Sequence, residues 1–213
     1  GVPLGLWAGL KPDSASGKAI MAASILGFSL PTFWVGLMLI MVFSVWLGVL
    51  PTSGRGPTSD LLGVSVIFLS PEGLRHLVLP AATLALFNLA LVIRLARTAT
   101  REALQQDYVR FARAKGLTER RVVGVHVLRN ALVPIVTVTG VEFGSVIAFA
   151  VVTESIFAWP GMGKLLIDSI NVLDRPVIVG YLCIVVTLFV AINLLVDLAC
   201  SWLDPRVRLE EGA

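Results

Sequence analysis

YVRFARAKGLTERRVVGVHVLRN, residues 108–130, holds six of the seventeen Lys and Arg residues of a 213-residue chain. The chain around it is 56% hydrophobic and only 15% charged, with a mean hydropathy of +0.88. Soluble domains carry roughly a quarter charged residues, so this composition belongs to a protein dissolved in lipid. The basic segment is therefore read as a loop between membrane helices.

Working outward, four apolar runs flank or follow this pattern: Ala19 to Arg55, Leu77 to Ile93, Ala131 to Thr153 (interrupted by Glu142), and Val177 to Val196. Each is long enough to cross a hydrocarbon core, which takes about 20 helical residues. The runs are continuous rather than alternating, which favours helices over barrel strands. The expected fold class is an all-α, polytopic transmembrane bundle, forming one domain over residues 1–213. Membrane helices are expected at about 20–50, 77–97, 131–153 and 177–203, with a cytoplasmic loop at about 98–130. Residues 1–10 read as the tail of a helix whose beginning is missing, because they are apolar, lack Met and have no signal-peptide layout. Pro31 should kink the first run or set an interfacial start, since it removes a backbone donor.

Charge placement gives the orientation. If residues 11–18, 94–130 and the tail after Leu203 share one side, that side holds thirteen Lys and Arg residues against four on the other. The cytoplasmic side is the basic one. This topology accounts for the net charge of +3 and the pI near 9.2 without a nucleic-acid partner. Cys183 and Cys200 lie 17 residues apart on one helix, too far to bond each other.

Within the basic loop, Arg113 and Lys115 suit a helix C-terminus and Gly116 a left-handed cap. Thr118 is a candidate N-cap for a new helix, with Glu119 in its first turn. The loop thus reads as helix, Gly turn, short helix, then re-entry at residues 130–134. Ala112, Ala114 and Gly116 would permit close approach of another protein, and Leu117, Val122 and Val125 could supply an apolar patch. Arg94, Arg97 and Arg101 continue the preceding helix into water with one basic face.

Chemistry is otherwise sparse. WPGMGKLL (residues 159–166) lacks the Ser or Thr after Lys that a phosphate-binding loop needs, so ATP is not expected on this chain. The sequence has no catalytic motif and no metal-ligand spacing. Polar residues at membrane depth are Glu142, and Asn193 with Asp197 one helical turn apart; they are candidates for a translocation path or for interhelical hydrogen bonds. The outer segment ESIFAWPGMGKLLIDSINVLDRP spaces Met162, Leu165, Leu166 and Ile170 as a short amphipathic helix lying at the interface.

DYVRFARAKGLTERRVVGVHVLRNALVPIVTVTG closely resembles the cytoplasmic loop of permease subunits of bacterial ATP-binding-cassette importers for dipeptides, oligopeptides and nickel. SLPTFWVGLMLIMVFSVWLGVLPTSG, HLVLPAATLAL, ESIFAWPGMGKLLIDSI and NLLVDLACSWLDPRVRL extend the resemblance over nearly the whole chain, and LGVLPTSG resembles the first of the two permeases such systems pair. The resemblance implies a type I importer permease in the bacterial inner membrane, with no enzymatic activity of its own. It implies as partners a second homologous permease, two cytoplasmic ATPases carrying ATP and Mg, and an external solute-binding protein. It assigns Ala112, Arg113, Ala114, Lys115, Gly116 and Leu117 to the ATPase-coupling motif, with the coupling helix from Thr118 through Glu119, Arg121 and Val122 to about Val125. Importers at large place Glu-Ala-Ala where this chain has Arg110, Phe111 and Ala112, so contacts made by that Glu do not carry over. The rival reading is a gradient-driven transporter or channel using Glu142 and Asp197 without an ATPase.

Overall fold

The computed structural model describes residues 1–61, 64–68 and 70–203. Nine α-helices are present among them: α1 Val2–Leu10, α2 Ala15–Ser29, α3 Thr32–Leu39, α4 Pro71–Gln105, α5 Asp107–Ala114, α6 Glu119–Arg121, α7 Leu128–Ile156, α8 Met162–Asn171 and α9 Arg175–Leu203. Two π-wound segments, Ile40–Trp46 and Val122–Val127, continue α3 and join α6 to α7. A three-residue strand β1 (Ser59–Leu61) pairs antiparallel with β2 (Val64–Val66), Ser59 opposite Val66. The basic tail residues Arg206 and Arg208, counted above in the charge bias, lie outside the described residues.

Among the described residues, three stretches are long and apolar enough to cross a membrane: Pro71–Gln105, Glu119–Ile156 and Arg175–Leu203. The first apolar run bends by 104° at Pro31, where a kink or an interfacial start is expected. It is two helices that qualify only as a bent pair. The break falls at Pro31, whose extended backbone (φ −59°, ψ 135°) starts α3 afresh. Proline has no N–H to continue the α2 ladder, and the residue before it is pushed out of helical geometry.

The chain divides into two compact units. One comprises Gly1–Phe28, Asn88–Phe143 and the stretch from Leu188; the other comprises Ser29–Phe87 and Gly144–Thr187. In the first, α1 lies against the later turns of α4. A Cβ on Gly5 would come within 2.5 Å of Ala96 Cβ and of the Ile93 carbonyl, so only glycine permits this approach. Close backbone contact through small residues replaces the hydrophobic drive that lipid cannot provide. Gly140 of α7 meets Val196 of α9 in the same way. Ser24 Oγ of α2 donates to Ala90 O at 2.9 Å, and Arg94 stacks on Phe28 at 4.2 Å. The expected basic face of α4 is thus partly packed: Nε of Arg94 and of Arg97 is enclosed with no hydrogen-bond partner among the described residues.

In the second unit, Thr83 and Phe157 are buried and flank Gly36. His76 Nδ1 lies 3.1 and 3.0 Å from the carbonyls of Ser53 and Gly54, which pins residues 53–54 to the first turns of α4. Helix α8 buries Gly163 and Ser169 and leaves Met162, Leu165 and Ile170 exposed. Its small residues pack while its apolar residues face outward, the arrangement of a helix that meets lipid or another protein.

Candidate coupling hairpin

The basic loop begins where α4 ends. Gln106 adopts an extended backbone (φ −70°, ψ 148°) and starts α5, with Asp107 in the first turn, where a carboxylate complements the helix dipole. Helix α5 is amphipathic and buries Val109 and Ala112.

Its C-terminus closes on Gly116. The Leu117 N–H donates to Ala112 O at 3.3 Å and the Gly116 N–H donates to Arg113 O at 2.9 Å, the paired bonds of a Schellman cap. Gly116 has φ +77°, which a Cβ disfavours, while no atom lies within 4 Å of where that Cβ would sit. Backbone geometry alone selects glycine here, and the turn is open to the outside.

Past the turn, Thr118 takes the extended N-cap conformation (φ −65°, ψ 146°), and its carbonyl accepts from Arg121 and Val122 N–H at 2.9 and 3.0 Å. Its hydroxyl makes no cap bond, contrary to the expected side-chain cap. Glu119 acts across the turn: Arg113 Nε donates to Glu119 Oε1 at 2.8 Å and Arg113 Nη2 to Oε2 at 3.2 Å. This is the planar fork-to-fork geometry that favours arginine over lysine. The hydrogen bond from Arg113 holds the Glu119 carboxyl below the usual glutamate range, and the same bond raises Arg113. Burial pushes the Tyr108 hydroxyl up.

The interior of the hairpin is a cluster of Ala103, Val109, Ala112, Val122 and Val127, with Leu6, Leu104 and Leu117 packed against it. Two expectations are corrected by this. Ala112 is buried, so it cannot offer a small surface for close approach, and Val122 is fully buried at 0% exposure, so it cannot join an outer apolar patch. Both hold the hairpin together from within. Nor does the second helix end before the membrane span. Residues from Glu119 to Ile156 form one helical stretch through the π-wound segment, because the run from Glu119 to Arg129 contains no proline and no turn sequence.

What the hairpin presents outward is a different set. Arg113, Ala114, Lys115, Gly116, Thr118, Glu119 and Arg121 are exposed, together with Arg110 and Arg120. Phe111, at 62% exposure and with Lys115 Nζ 4.6 Å from its ring centroid, and Val125 supply the apolar part. Phe111 and the Arg113–Glu119 pair escaped the sequence reading. Opposite charges six residues apart across a glycine turn are the signal that would have found the pair.

Among the described residues, no hydrogen bond or ion pair links one candidate path residue to another. Among the described residues Glu142 and Asp197 have no hydrogen-bond or ion-pair partner, and Asn193 Nδ2 donates to Phe189 O of its own helix at 2.9 Å. WPGMGKLL, set aside as a failed phosphate loop, is a helix N-terminus that already holds an anion. Glu154 Oε2 accepts the Lys164 N–H at 2.8 Å, and the Glu154 carboxylate occupies the space a Gly161 Cβ would take. Sequence reasoning missed Glu154; an acid a few residues before a Pro-Gly turn and a helix start was its only trace.

Residues 1–209 match the family described as "Binding-protein-dependent transport system inner membrane component". The chain is 44% identical over 220 residues to the di/tripeptide transport system permease protein DppB of Pseudomonas aeruginosa (strain UCBPP-PA14), an alignment covering 98% of this chain and 66% of that protein. It is 39% identical over 223 residues to the dipeptide transport system permease protein DppB of Escherichia coli (strain K12) and 43% identical over 222 residues to that of Haemophilus influenzae, with the same coverage of 98% and 66%. The chain thus spans 66% of the length of these curated relatives. Among solved structures it resembles a chain of the inward-facing MetNI methionine ABC transporter, with TM-score 0.69 and 16% identity over 95% of this chain and 85% of that one. That likeness shows the fold, a predominantly α-helical one shared with that chain. With its apolar helices, the chain is a multi-pass membrane protein and a member of the binding-protein-dependent transport system inner membrane component family.

Proposed function

We propose that this chain is the membrane-spanning subunit of an ATP-driven importer of short peptides or peptide-like solutes in the bacterial inner membrane. Its partners are a second, homologous permease, two cytoplasmic ATPases that bind ATP and Mg, and an external solute-binding protein. The chain itself carries no catalytic step. Alternating access is driven through the hairpin at Gly116, which fits a cleft of an ATPase subunit.

The observation that supports this most is the construction of that hairpin. A disordered basic loop would satisfy the positive-inside bias. Here a Schellman cap, a bidentate ion pair and a buried cluster hold one shape, with Lys115, Arg120, Arg121 and Phe111 displayed on it. A rigid, basic and partly apolar surface of this kind suits a protein partner with an acidic, apolar-floored groove. Arg113, Ala114, Lys115, Gly116, Thr118, Glu119 and Arg121 form the contact, while Ala112, Leu117 and Val122 keep its shape. Glu142, Asn193 and Asp197 line the solute path from α7 and α9.

The test is uptake of labelled dipeptide into proteoliposomes holding the full-length chain with its partners. Uptake that requires ATP and the ATPase subunits is expected. Uptake driven by an ion gradient with the ATPases omitted would overturn the reading.

A further inference from the structure

The π-wound segment Val122–Val127 joins the coupling hairpin to α7, and its winding conflicts with its sequence. VVGVHV contains no proline, and nothing in it calls locally for a wide turn. The cause lies in the packing. Val122 and Val127 are both at 0% exposure and both sit in the same buried cluster with Val109 and Ala112. An α-helix turns about 100° per residue, so residues five apart point roughly 140° away from each other and cannot share one small cluster. A π turn closes on the fifth residue, which brings such a pair to nearly the same side. The wide bond is present: the Leu128 N–H reaches back to Val123 O. Tertiary burial of two valines therefore holds a winding that the local chain resists. Such conflicts between local and global preference concentrate at functional sites, and a packed element of this kind has discrete alternative arrangements rather than a continuous range.

We propose that Val122–Val127 is a two-state joint, π-wound in one state of the transport cycle and α-wound in the other, with Val122 and Val127 as the positioning residues that hold the π state. This rests on the reading of the chain as a permease driven through its hairpin. In the α-wound state Val122 stays in the cluster beside the Gly116 turn and Val127 leaves it, so the hairpin rotates by roughly a quarter turn or more relative to the start of α7. A small movement imposed on the hairpin becomes a rotation of the membrane helix, and the exchange of one buried valine sets its two end points.

The experiment uses the full-length chain assembled with its partner permease, ATPases and binding protein. Val127→Cys is probed with N-ethylmaleimide with and without ATP, and dipeptide uptake by the same complex is measured alongside. Labelling several-fold faster in one nucleotide condition is expected. Deletion of Gly124, an exposed residue with no atom within 4 Å of its Cβ position, is the second variant. It places the two valines four apart, where a plain α-helix keeps both in the cluster. The deletion should hold the Val127→Cys thiol protected in both conditions, retain the ATPases on purification and lose uptake. Equal protection of the thiol with and without ATP in a complex that transports would overturn the joint and leave the functional reading standing, as would wild-type uptake after the deletion. Failure of ATP to drive uptake in the unmodified complex would instead overturn the functional reading, and with it the joint that rests on it.

Discussion

Arg113 and Glu119 grip each other across the Gly116 turn through two parallel hydrogen bonds of 2.8 and 3.2 Å. The pair is half open to water, so its value lies in fixing the angle of the turn rather than in overall stability. Glu119→Arg should loosen the hairpin and lower ATP-driven uptake with little change in membrane abundance. The exchanged pair Arg113→Glu/Glu119→Arg should recover part of the loss, because the fork geometry is remade in reverse. Uptake in the three variants checks this; equal loss in the single and the exchanged forms would mean that each residue touches the ATPase independently.

The pair also gives a pH dependence. Glu119 is held below its ordinary range in the folded chain, so its contribution is full above the unfolded value and is lost as pH falls through the lowered folded value. The protection factor of the Leu117 amide, its exchange rate set against the pH-dependent intrinsic rate, should stay high from neutral pH down through the ordinary glutamate range and fall only below it. In Glu119→Gln that protection should be lower and independent of pH across the same interval.

Gly116 is selected by backbone conformation alone. Gly116→Ala should cost about 1–2 kcal/mol of local hairpin stability, the penalty of a left-handed residue with a Cβ. Gly116→Asn should cost less, since asparagine tolerates that region. Gly116→Pro should cost most, because it forbids φ +77° and removes the N–H that bonds Arg113 O. Limited proteolysis at the basic residues of the loop, read against unchanged membrane insertion, orders the three.

At the start of α8, Glu154 substitutes for the side-chain cap that the helix lacks. Glu154→Ala should destabilise α8 by about 0.5–2 kcal/mol, as loss of a cap does, and Glu154→Gln by less because one acceptor oxygen remains. Gly161→Ala should mimic Glu154→Ala by displacing the carboxylate. Exchange rates of the Lys164 amide in the three variants check the assignment.

The bundle and its loop order were legible because membrane spans are written in residue type and length, and the Gly116 turn because a glycine after two cations is a strong cap signal. The break at Pro31 was legible in position but not in kind, since a proline states where a helix is disturbed and not whether it restarts. The interior role of Ala112 and Val122 was not legible, because a small or apolar residue in a basic loop reads equally as surface or core until its neighbours are placed. The π winding was hidden for a related reason: it follows from where Val122 and Val127 are buried, which no local pattern records. Glu154 was missed because its partner is a backbone N–H ten residues ahead, brought near by a turn whose course is set by packing.

For the membrane acids, the structure leaves Glu142 and Asp197 without partners among the described residues. If they line the path, Glu142→Gln and Asp197→Asn should keep normal abundance and change the preference among charged dipeptides. Competition uptake with acidic, neutral and basic dipeptides measures this. Reduced abundance with unchanged preference would assign them to packing instead.

The central claim is that the Gly116 hairpin is the contact with the ATPase, and site-specific photocrosslinking tests it most directly. A photoreactive side chain is placed in turn at Lys115, at Arg121 and, as a comparison, at Ile170 of α8 in the assembled full-length complex. The account predicts adducts with an ATPase subunit from Lys115 and Arg121 and none from Ile170. A transporting complex in which neither Lys115 nor Arg121 yields an ATPase adduct would contradict it.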